Sequence, residues 1–167
     1  DLAGNVTKAA LDDSLTYNGD ATVSYQYDDL YRLTKEDCSP AQGSYRKAYR
    51  YQYSYDGVGN RTKMAYWNGS TTYTTTYSYS PRNELTKADE SHTSSQFDRR
   101  SFGYDLRGNL THVECHDWYL EEGEWVEGEC MWNSEYYWSS DDRLTKFEYY
   151  DEGWLEKTVE YKYDLLG

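Results

Sequence analysis

Large and polar residues alternate along several stretches of the chain. The clearest stretch is 49–55, which reads Tyr-Arg-Tyr-Gln-Tyr-Ser-Tyr, and the same alternation runs through 23–27 and 73–79. Alternation with a period of two predicts β-strands that bury one face, and tyrosine and threonine suit a pleated surface. Helical periodicity is absent apart from a short ambiguous stretch at 7–15. The pattern therefore predicts an all-β chain.

A tyrosine–aspartate signature follows these stretches and recurs roughly every 25 residues, a period typical of repeat architectures. The complete copies are Tyr27-Asp28 with Thr34, Tyr55-Asp56 with Gly59, Asn60 and Thr62, and Tyr104-Asp105 with Gly108, Asn109 and Thr111. Weaker copies span 80–86 and 139–145. The chain opens inside a copy at 1–7 and stops inside another that starts at Tyr163-Asp164. The regular spacing favours a structural scaffold over an enzyme.

The signature has the composition of a tight turn. Aspartate at the first position and glycine at the fourth fit a type I turn, in which the carboxylate accepts bonds from N–H groups ahead. The Gly-Asn pairs can take the positive φ that reverses the chain. The segments 18–20, 40–43, 68–69 and 151–153 predict further turns at the opposite end of each hairpin. Two strands per repeat give roughly a dozen strands in an antiparallel meander.

The copies are organised at a second level, because Gly-Asn occurs only in alternate copies. Two repeats then form one unit, which predicts a single array over 1–167 with about six hairpin repeats. The units are expected at 1–55, 56–104 and 105–163, and 164–167 would begin another. Because the chain ends in the same phase in which it begins, the sequence indicates a segment of a longer repetitive polypeptide.

Composition indicates how such strands would pack. Hydrophobic residues make up 37% of the chain and aromatic residues 18%, with 21 tyrosines, 6 tryptophans, 3 phenylalanines and no isoleucine. A compact sandwich normally fills its interior with branched aliphatic side chains, whereas tyrosine has an apolar ring and a hydroxyl that needs a partner. We therefore expect an extended sheet with stacked tyrosine ladders, in which neighbouring repeats cover one another.

Charge and motif content exclude several function classes. The net charge is -13 and only 17 basic residues are spread over the chain, which disfavours nucleic-acid binding. No apolar run approaches the roughly 20 residues of a membrane span. No nucleophile elbow, metalloprotease motif, phosphate loop or dinucleotide fingerprint occurs. The sequence thus predicts a protein that is not an enzyme and holds no cofactor.

The alternation of Tyr-Asp-x-x-Gly-Asn-x-Thr with x-x-x-x-Arg-Leu-Thr resembles the YD repeat of the bacterial RHS family, which also occurs in toxin-complex cocoon subunits and in animal teneurins. The copies at 27–34, 55–62 and 104–111 carry the resemblance. It implies a long β-ribbon wound spirally into a hollow shell, in secreted or cell-surface proteins. In toxins of the family the shell holds a C-terminal effector. The family's Pro…Asp-Pro-x-Gly-Leu autoproteolytic segment is missing here, so no cleavage activity is implied.

Four residues close in sequence raise the question of a metal site or a disulfide: His112, Cys115, His116 and Cys130. Zinc needs four converging ligands, whereas on a strand the two histidines share one face and Cys115 points to the other. The simpler interpretation is a disulfide between Cys115 and Cys130 across the arms of a long hairpin, which an extracellular setting permits. Cys38 would then be free or bonded to another chain.

Other polar and aromatic clusters have structural explanations. The acidic pairs 12–13, 28–29, 121–122 and 141–142 are interpreted as solvated turn residues, with calcium bridging as the alternative. Three of the four Asn-x-Ser/Thr sites, at 5, 60, 68 and 109, are turn residues of the signature. The longest repeat holds the aromatic residues Trp118, Trp125, Trp132, Trp138, Tyr119, Tyr136 and Tyr137. They predict either buried packing or an exposed platform for sugar rings.

Together these features predict a structural β-repeat segment of a large secreted or cell-surface protein. It would build a shell, tube or fibre wall by packing hairpin against hairpin, with strand addition between segments as a further expectation. Its partners would be neighbouring copies or flanking repeats. Two alternatives stay open at this point: a wall section of a toxin-encapsulating cocoon of the RHS type, and a carbohydrate-binding surface adhesin.

Overall fold

A computed structural model of the chain describes residues 3–11 and 19–163. These residues form twelve β-strands and no helix. The strands are β1 (Lys8–Leu11), β2 (Ala21–Tyr27), β3 (Leu33–Pro40), β4 (Tyr49–Tyr55), β5 (Arg61–Trp67), β6 (Thr72–Tyr79), β7 (Leu85–Thr93), β8 (Gln96–Tyr104), β9 (Leu110–Glu121), β10 (Glu124–Trp138), β11 (Leu144–Asp151) and β12 (Trp154–Glu160). The prediction of an all-β chain with about a dozen strands is confirmed.

Each strand pairs with its neighbours in sequence, so the sheet order is β1 to β12 without a crossover. The antiparallel meander predicted from the turn signals is therefore confirmed. The ambiguous stretch at 7–15 contributes strand β1 at Lys8–Leu11, and its remainder, 12–15, lies outside the described residues. By contacts the chain divides into two compact units, Asp1–Thr76 and Tyr77–Gly167. The predicted grouping into three two-repeat units stays a prediction.

In the first unit, tyrosine side chains line one face of the sheet. Cross-strand register brings Tyr25, Tyr51, Tyr66 and Tyr73 onto this face in successive strands, with Glu36 of β3 between the first two. The rings of Tyr51 and Tyr66 stack at 4.7 Å between centroids, and those of Tyr66 and Tyr73 at 6.3 Å. Cross-strand aromatic pairs of this kind stabilise a sheet. The predicted tyrosine ladder is thus confirmed in this unit.

Small side chains pack beside the larger ones on this face. Val23 is 2% exposed and Cys38 is 1% exposed, and the partly buried Leu11, Tyr25 and Tyr49 pack against them. Each fully buried aliphatic side chain of this size contributes roughly 1.5–3 kcal/mol. The described part of the chain buries only a few hydrophobic residues, so cross-strand pairs and backbone bonds must supply most of the stability.

The second unit follows the same design with a longer hairpin. Strands β9 and β10 run for 12 and 15 residues and meet at a turn where Glu122 and Gly123 have φ of 51° and 90°. Its buried small residues are Ala88, Val113, Cys115 and Ser134. Register places Val113 opposite both Phe102 and Ser134, so large and small side chains share this face.

Candidate functional site

The signature turns have one geometry, which is clearest in the Gly-Asn copies. The N–H of Asp56 donates to the carbonyl of Asn60 at 2.9 Å. The Oδ1 atom of Asp56 accepts the N–H groups of Val58 and Asn60 at 3.1 and 2.8 Å, and its Oδ2 atom accepts the Asn60 amide at 3.0 Å. Asp105 makes the corresponding bonds to Asn109 at 3.0 and 3.1 Å. The carboxylate therefore closes each turn, as the sequence predicts.

Positive φ falls on the fourth residue of every described signature turn. The values are 61° at Tyr31, 103° at Gly59, 63° at Asn83, 90° at Gly108 and 61° at Asp142. Glycine relieves the strain of this conformation, and the asparagines after Gly59 and Gly108 do not adopt it. Asn60 and Asn109 instead bind the turn carboxylate through their side chains. The positive φ predicted for the Gly-Asn pairs is therefore found at the glycine of each pair.

The copies without Gly-Asn close the turn with other side chains. Arg32 donates its Nε to Oδ2 of Asp28 at 2.7 Å, in the place that asparagine occupies in the other copies. The hydroxyl of Ser80 accepts the N–H of Glu84 and donates to its carboxylate. The hydroxyl of Ser139 accepts the N–H of Arg143 at 3.1 Å. The alternation of Gly-Asn with other pairs thus reflects two ways of satisfying the same turn.

At positions 27, 55, 138 and 163, the aromatic residue before the signature bonds its repeat to the preceding one. The Tyr55 hydroxyl donates to the carbonyl of Leu33 at 2.7 Å, and Tyr27 reaches the carbonyl of Val6 at 2.9 Å. In the second unit, Trp138 Nε1 donates to Leu110 at 2.7 Å and the Tyr163 hydroxyl to Leu144 at 2.8 Å. Every acceptor is the residue just before the signature threonine of the preceding copy. We call these bonds the repeat staples.

Signature threonines and arginines add further links. The hydroxyls of Thr34, Thr86 and Thr145 donate to the carbonyl eight residues earlier, at 3.1, 3.1 and 2.8 Å. Thr62 and Thr111 lie at the second position of β5 and β9. Arg32 donates to the carbonyl of Asp56 at 3.0 Å, and Arg107 to that of Ser140 at 2.6 Å. Successive turns in each unit are therefore bonded to one another.

Removing one repeat staple is expected to destabilise the first unit by about 1 kcal/mol. Tyr55→Phe deletes the hydroxyl and leaves the carbonyl of Leu33 without its donor, and one intramolecular hydrogen bond contributes roughly 0.5–1.5 kcal/mol. Urea unfolding followed by tryptophan fluorescence measures the change in the free energy of unfolding.

The matched control for the staple is Tyr53→Phe in the same strand. The Tyr53 ring stacks on Tyr51 with centroids 6.1 Å apart, and phenylalanine preserves that contact. An equal loss in the Tyr53 and Tyr55 variants would show that the Tyr55 hydroxyl has no particular role.

Acid is expected to unfold the chain through its turn carboxylates. Backbone N–H donors lower the pKa of Asp28 and Asp105 from the ordinary 3.8. At Asp56 desolvation opposes ionisation, but the hydrogen bonds from the Asn60 side chain and from backbone N–H groups together outweigh it and lower the pKa. Because the folded-state pKa is depressed, the stability is present above pH 3.8 and is lost as pH falls through the folded-state pKa. Urea midpoints measured between about pH 7 and pH 2 should fall at the acid end.

An Asp56→Asn, Asp105→Asn double variant is the control for this acid sensitivity. Its side chains keep an oxygen acceptor but do not titrate, so its urea midpoint should depend less on pH. The same acid profile in the variant and the parent would rule the turn carboxylates out as the cause.

Several predicted positions fall outside the described residues. These are residues 1–2 of the first signature copy, the acidic pair 12–13, Asn18 of the turn predicted at 18–20, and the last copy from Asp164 onward. Tyr163 is the last described residue, and its hydroxyl forms a repeat staple. In the pair 141–142 both residues lie in a turn and have basic neighbours: Asp141 contacts Arg143 at 3.0 Å and Asp142 contacts Arg107 at 2.9 Å.

The cysteines are free thiols in the structure. Cys115 lies opposite Trp132 and Cys130 opposite His116, with register shifts on both sides of Cys130. Burial raises the pKa of Cys115 to about 11. The predicted Cys115–Cys130 disulfide is not formed in the structure and stays a prediction. Cys38 is likewise free and buried.

The zinc set considered from sequence is not brought together, because Cys115 faces away from the two histidines. Across 3–11 and 19–163, no group of three cysteine, histidine or acidic side chains could hold a metal ion. The histidines instead lie in a row with carboxylates. Nδ1 of His112 is 2.7 Å from Glu135 and its Nε2 is 3.2 Å from Glu114. Desolvation opposes protonation of His112, but hydrogen bonds to these two carboxylates outweigh it and raise the pKa.

The aromatic residues of the longest repeat divide into separate groups. Phe97 stacks on Trp118 at 5.8 Å and meets Trp125 edge-on at 4.8 Å, and the Arg99 guanidinium lies 4.7 Å above Trp118. Trp132 lies near Tyr149 at 6.3 Å. Trp138 serves as a repeat staple. Trp125 is 46% exposed, so only part of the predicted platform faces solvent.

None of the described residues forms a helix long and apolar enough to cross a membrane. No family model matches the chain, and no curated protein matches it. Among solved structures, it is similar to the crystal structure of TcdB2-TccC3 without the hypervariable C-terminal region, with a TM-score of 0.45 and 16% sequence identity. The match covers 77% of this chain and 10% of that one, so the chain spans about a tenth of that protein's length.

Proposed function

We propose that the chain is a structural β-repeat segment of a larger secreted or cell-surface protein. It builds a shell, tube or fibre wall by packing hairpin against hairpin, and its partners are flanking repeats or neighbouring copies. The observation that carries the proposal is the set of repeat staples. Each joins a side chain of one repeat to the backbone of the preceding repeat, so the bonding is directed along the array.

This bonding scheme suits a mechanical role. In repeat proteins, stability is approximately the sum of the stability of each repeat and of its contact with the next one. Staples and linked turns occur in both units, and a tyrosine ladder adds to them in the first unit, so resistance to unfolding would grow with repeat number. The Arg32 guanidinium illustrates the scheme. It binds the Asp28 carboxylate in its own turn and donates to the backbone carbonyl of Asp56 in the next turn. It also lies 4.7 Å from the centre of the Tyr55 ring.

Sedimentation and electron microscopy of the purified chain test whether it assembles. We expect defined species larger than a monomer as concentration rises, because unpaired strands at a sheet edge add further strands. A monodisperse monomer at high concentration would count against assembly between segments. Protease treatment of intact source cells tests location, and protection of the protein until the cells are lysed would contradict a surface or secreted wall.

A cocoon that encapsulates a toxin is a finer version of the same function. The sequence of the flanking gene distinguishes it, because a cocoon requires the capping segment and an effector downstream. An unrelated continuation of the gene would leave the general wall function and remove the cocoon.

A carbohydrate-binding adhesin is the second candidate, and the Phe97–Trp118–Trp125 cluster favours it. A half-exposed indole beside polar side chains can stack on a sugar ring. Glycan-array binding that is lost in Trp125→Ala and retained in Trp132→Ala would support this candidate. An array without any binding would remove it.

A further inference from the structure

Charge is distributed unevenly between the two units of the chain. Residues 1–76 include 8 basic and 9 acidic residues, whereas 77–167 include 9 basic and 21 acidic residues. Nearly all of the net charge of -13 therefore belongs to the second unit. The first unit is close to neutral, so a group of basic side chains on it can keep a positive local potential.

Such a group lies on the face of the first unit opposite the tyrosine ladder. Cross-strand register places four basic residues there, which we call the basic face: Lys8 of β1, Lys35 of β3, Arg50 of β4 and Lys63 of β5. Within the described strands β1–β6, Asp37 is the one acidic residue on this face, and it binds Lys35 at 2.8 Å and Arg50 at 3.0 Å. Lys8 and Lys63 are exposed, so positive charge predominates on this face.

The long hairpin of the second unit ends in the opposite charge. Its strands and turn, 110–138, contain no lysine or arginine. Five exposed glutamates surround the turn, and we call them the acidic tip: Glu121, Glu122, Glu124, Glu127 and Glu129. Within the described residues, β11 pairs with β10 only from Trp132 onward. The outer edge of β10 between Glu124 and Cys130 therefore extends past that neighbour.

We propose that the acidic tip of one copy of the chain docks on the basic face of a second copy. The inference rests on the proposed wall function, for which it names the two surfaces that join neighbouring copies. Charge complementarity decides the partner, because four cationic side chains meet five carboxylates and each surface would repel its own kind. The basic face also has a recess of about 110 Å³, in which a partner side chain can contact Trp67 and Ala65.

This contact joins two different surfaces, so it repeats in one direction. Each copy would dock its tip on one neighbour and offer its basic face to another. Contacts of this heterologous kind form rings when the rotation closes and open filaments when it does not. The proposed contact therefore extends a wall from copy to copy.

Charge reversal tests the contact by sedimentation velocity of the whole chain. The Lys35→Glu, Lys63→Glu variant reverses the basic face, and the Glu121→Lys, Glu124→Lys variant reverses the acidic tip. Each variant alone should self-associate at least tenfold more weakly than the parent. A mixture of the two should regain association, because the intact tip of the first meets the intact face of the second. Recovery also shows that both variants fold. Parent-like association of either variant alone, or no recovery on mixing, would overturn the proposal.

Matched variants change the same number of charges away from both surfaces. Lys47→Glu, Lys157→Glu is the counterpart of the basic-face variant, and Glu152→Lys, Glu156→Lys is the counterpart of the tip variant. All four residues are exposed. Each control should associate at least tenfold more strongly than the surface variant of equal net charge. Equal losses would show that net charge rather than the two surfaces governs association, which would overturn the proposal.

The parent chain separates this inference from the proposed function. Association should weaken at least tenfold between about 0.1 M and about 1 M salt, where the Debye length falls from about 10 Å to about 3 Å. Association unchanged by salt would overturn the inference and leave the wall function standing. A parent that stays monomeric up to about 1 mM would overturn both the inference and assembly between copies. Binding of the basic face to polygalacturonate without self-association would identify an acidic glycan as the partner and overturn the choice of a second copy.

Discussion

Val23→Asp is expected to unfold the first unit of the chain. Val23 is 2% exposed and lies between Ala9 of β1 and Cys38 of β3, where a carboxylate would lose its water. The change removes about 1.5–3 kcal/mol of apolar burial and adds roughly 3–5 kcal/mol for an unpaired buried charge. Because a domain is stable by only about 5–15 kcal/mol in total, the loss approaches or exceeds that margin.

The matched control for this change is Val58→Asp. Val58 is 72% exposed in a signature turn, so the same substitution there adds a solvated charge without burial. Far-ultraviolet circular dichroism and urea titration should show a folded Val58 variant and a largely unfolded β2–β3 region in the Val23 variant. Equal stability of the two variants would mean that the small cluster of Val23 and Cys38 beside the tyrosine ladder does not stabilise the unit.

The fold could be predicted from sequence because its determinants are local. Alternation in stretches such as 49–55 identifies the strands, and Asp56 with Gly59 identifies the turn that joins β4 to β5. In a meander, each strand pairs with the next along the chain, so local turns also specify the order of the sheet. No long-range pairing had to be deduced, which is the step at which sequence arguments usually fail.

The repeat staples were not predicted, because the acceptor of each lies 19 to 28 residues away from its donor. A pattern of alternation shows that Tyr55 ends a strand but not which carbonyl its hydroxyl meets. One signal was present in the sequence. The position before the signature is tyrosine at 27, 55, 79, 104 and 163 and tryptophan at 138, and never one of the three phenylalanines. A side-chain donor is therefore common to all six positions.

The relation between Cys130 and Trp132 shows where the period-two rule breaks down. Residues two apart on a regular strand share a face, yet Cys130 pairs with His116 and Trp132 with Cys115, which face opposite ways. The register shifts around Cys130 account for the change, since an extra residue in one strand reverses the faces beyond it. Gly128, inside the strand, was the only sequence signal of such a bulge.

Gly59→Ala is expected to destabilise the first unit by about 1–3 kcal/mol, through the backbone alone. Gly59 has φ of 103°, a conformation that costs an L-residue roughly this amount. A Cβ atom there would meet nothing within 4 Å, so the loss cannot come from a steric contact with the rest of the protein. Urea unfolding of the variant measures the loss, and the pairing of β4 with β5 should be the first to open in hydrogen exchange.

Gly57→Ala in the same turn separates conformation from the loss of glycine as such. A Cβ at Gly57 also meets nothing within 4 Å, and its φ lies outside the positive region. Because alanine restricts the unfolded chain, this variant should be neutral or more stable by up to about 1 kcal/mol. Opposite effects at two glycines of one turn would establish that the fourth position requires positive φ. A loss at Gly57 as large as that at Gly59 would contradict the turn geometry from which the array is built.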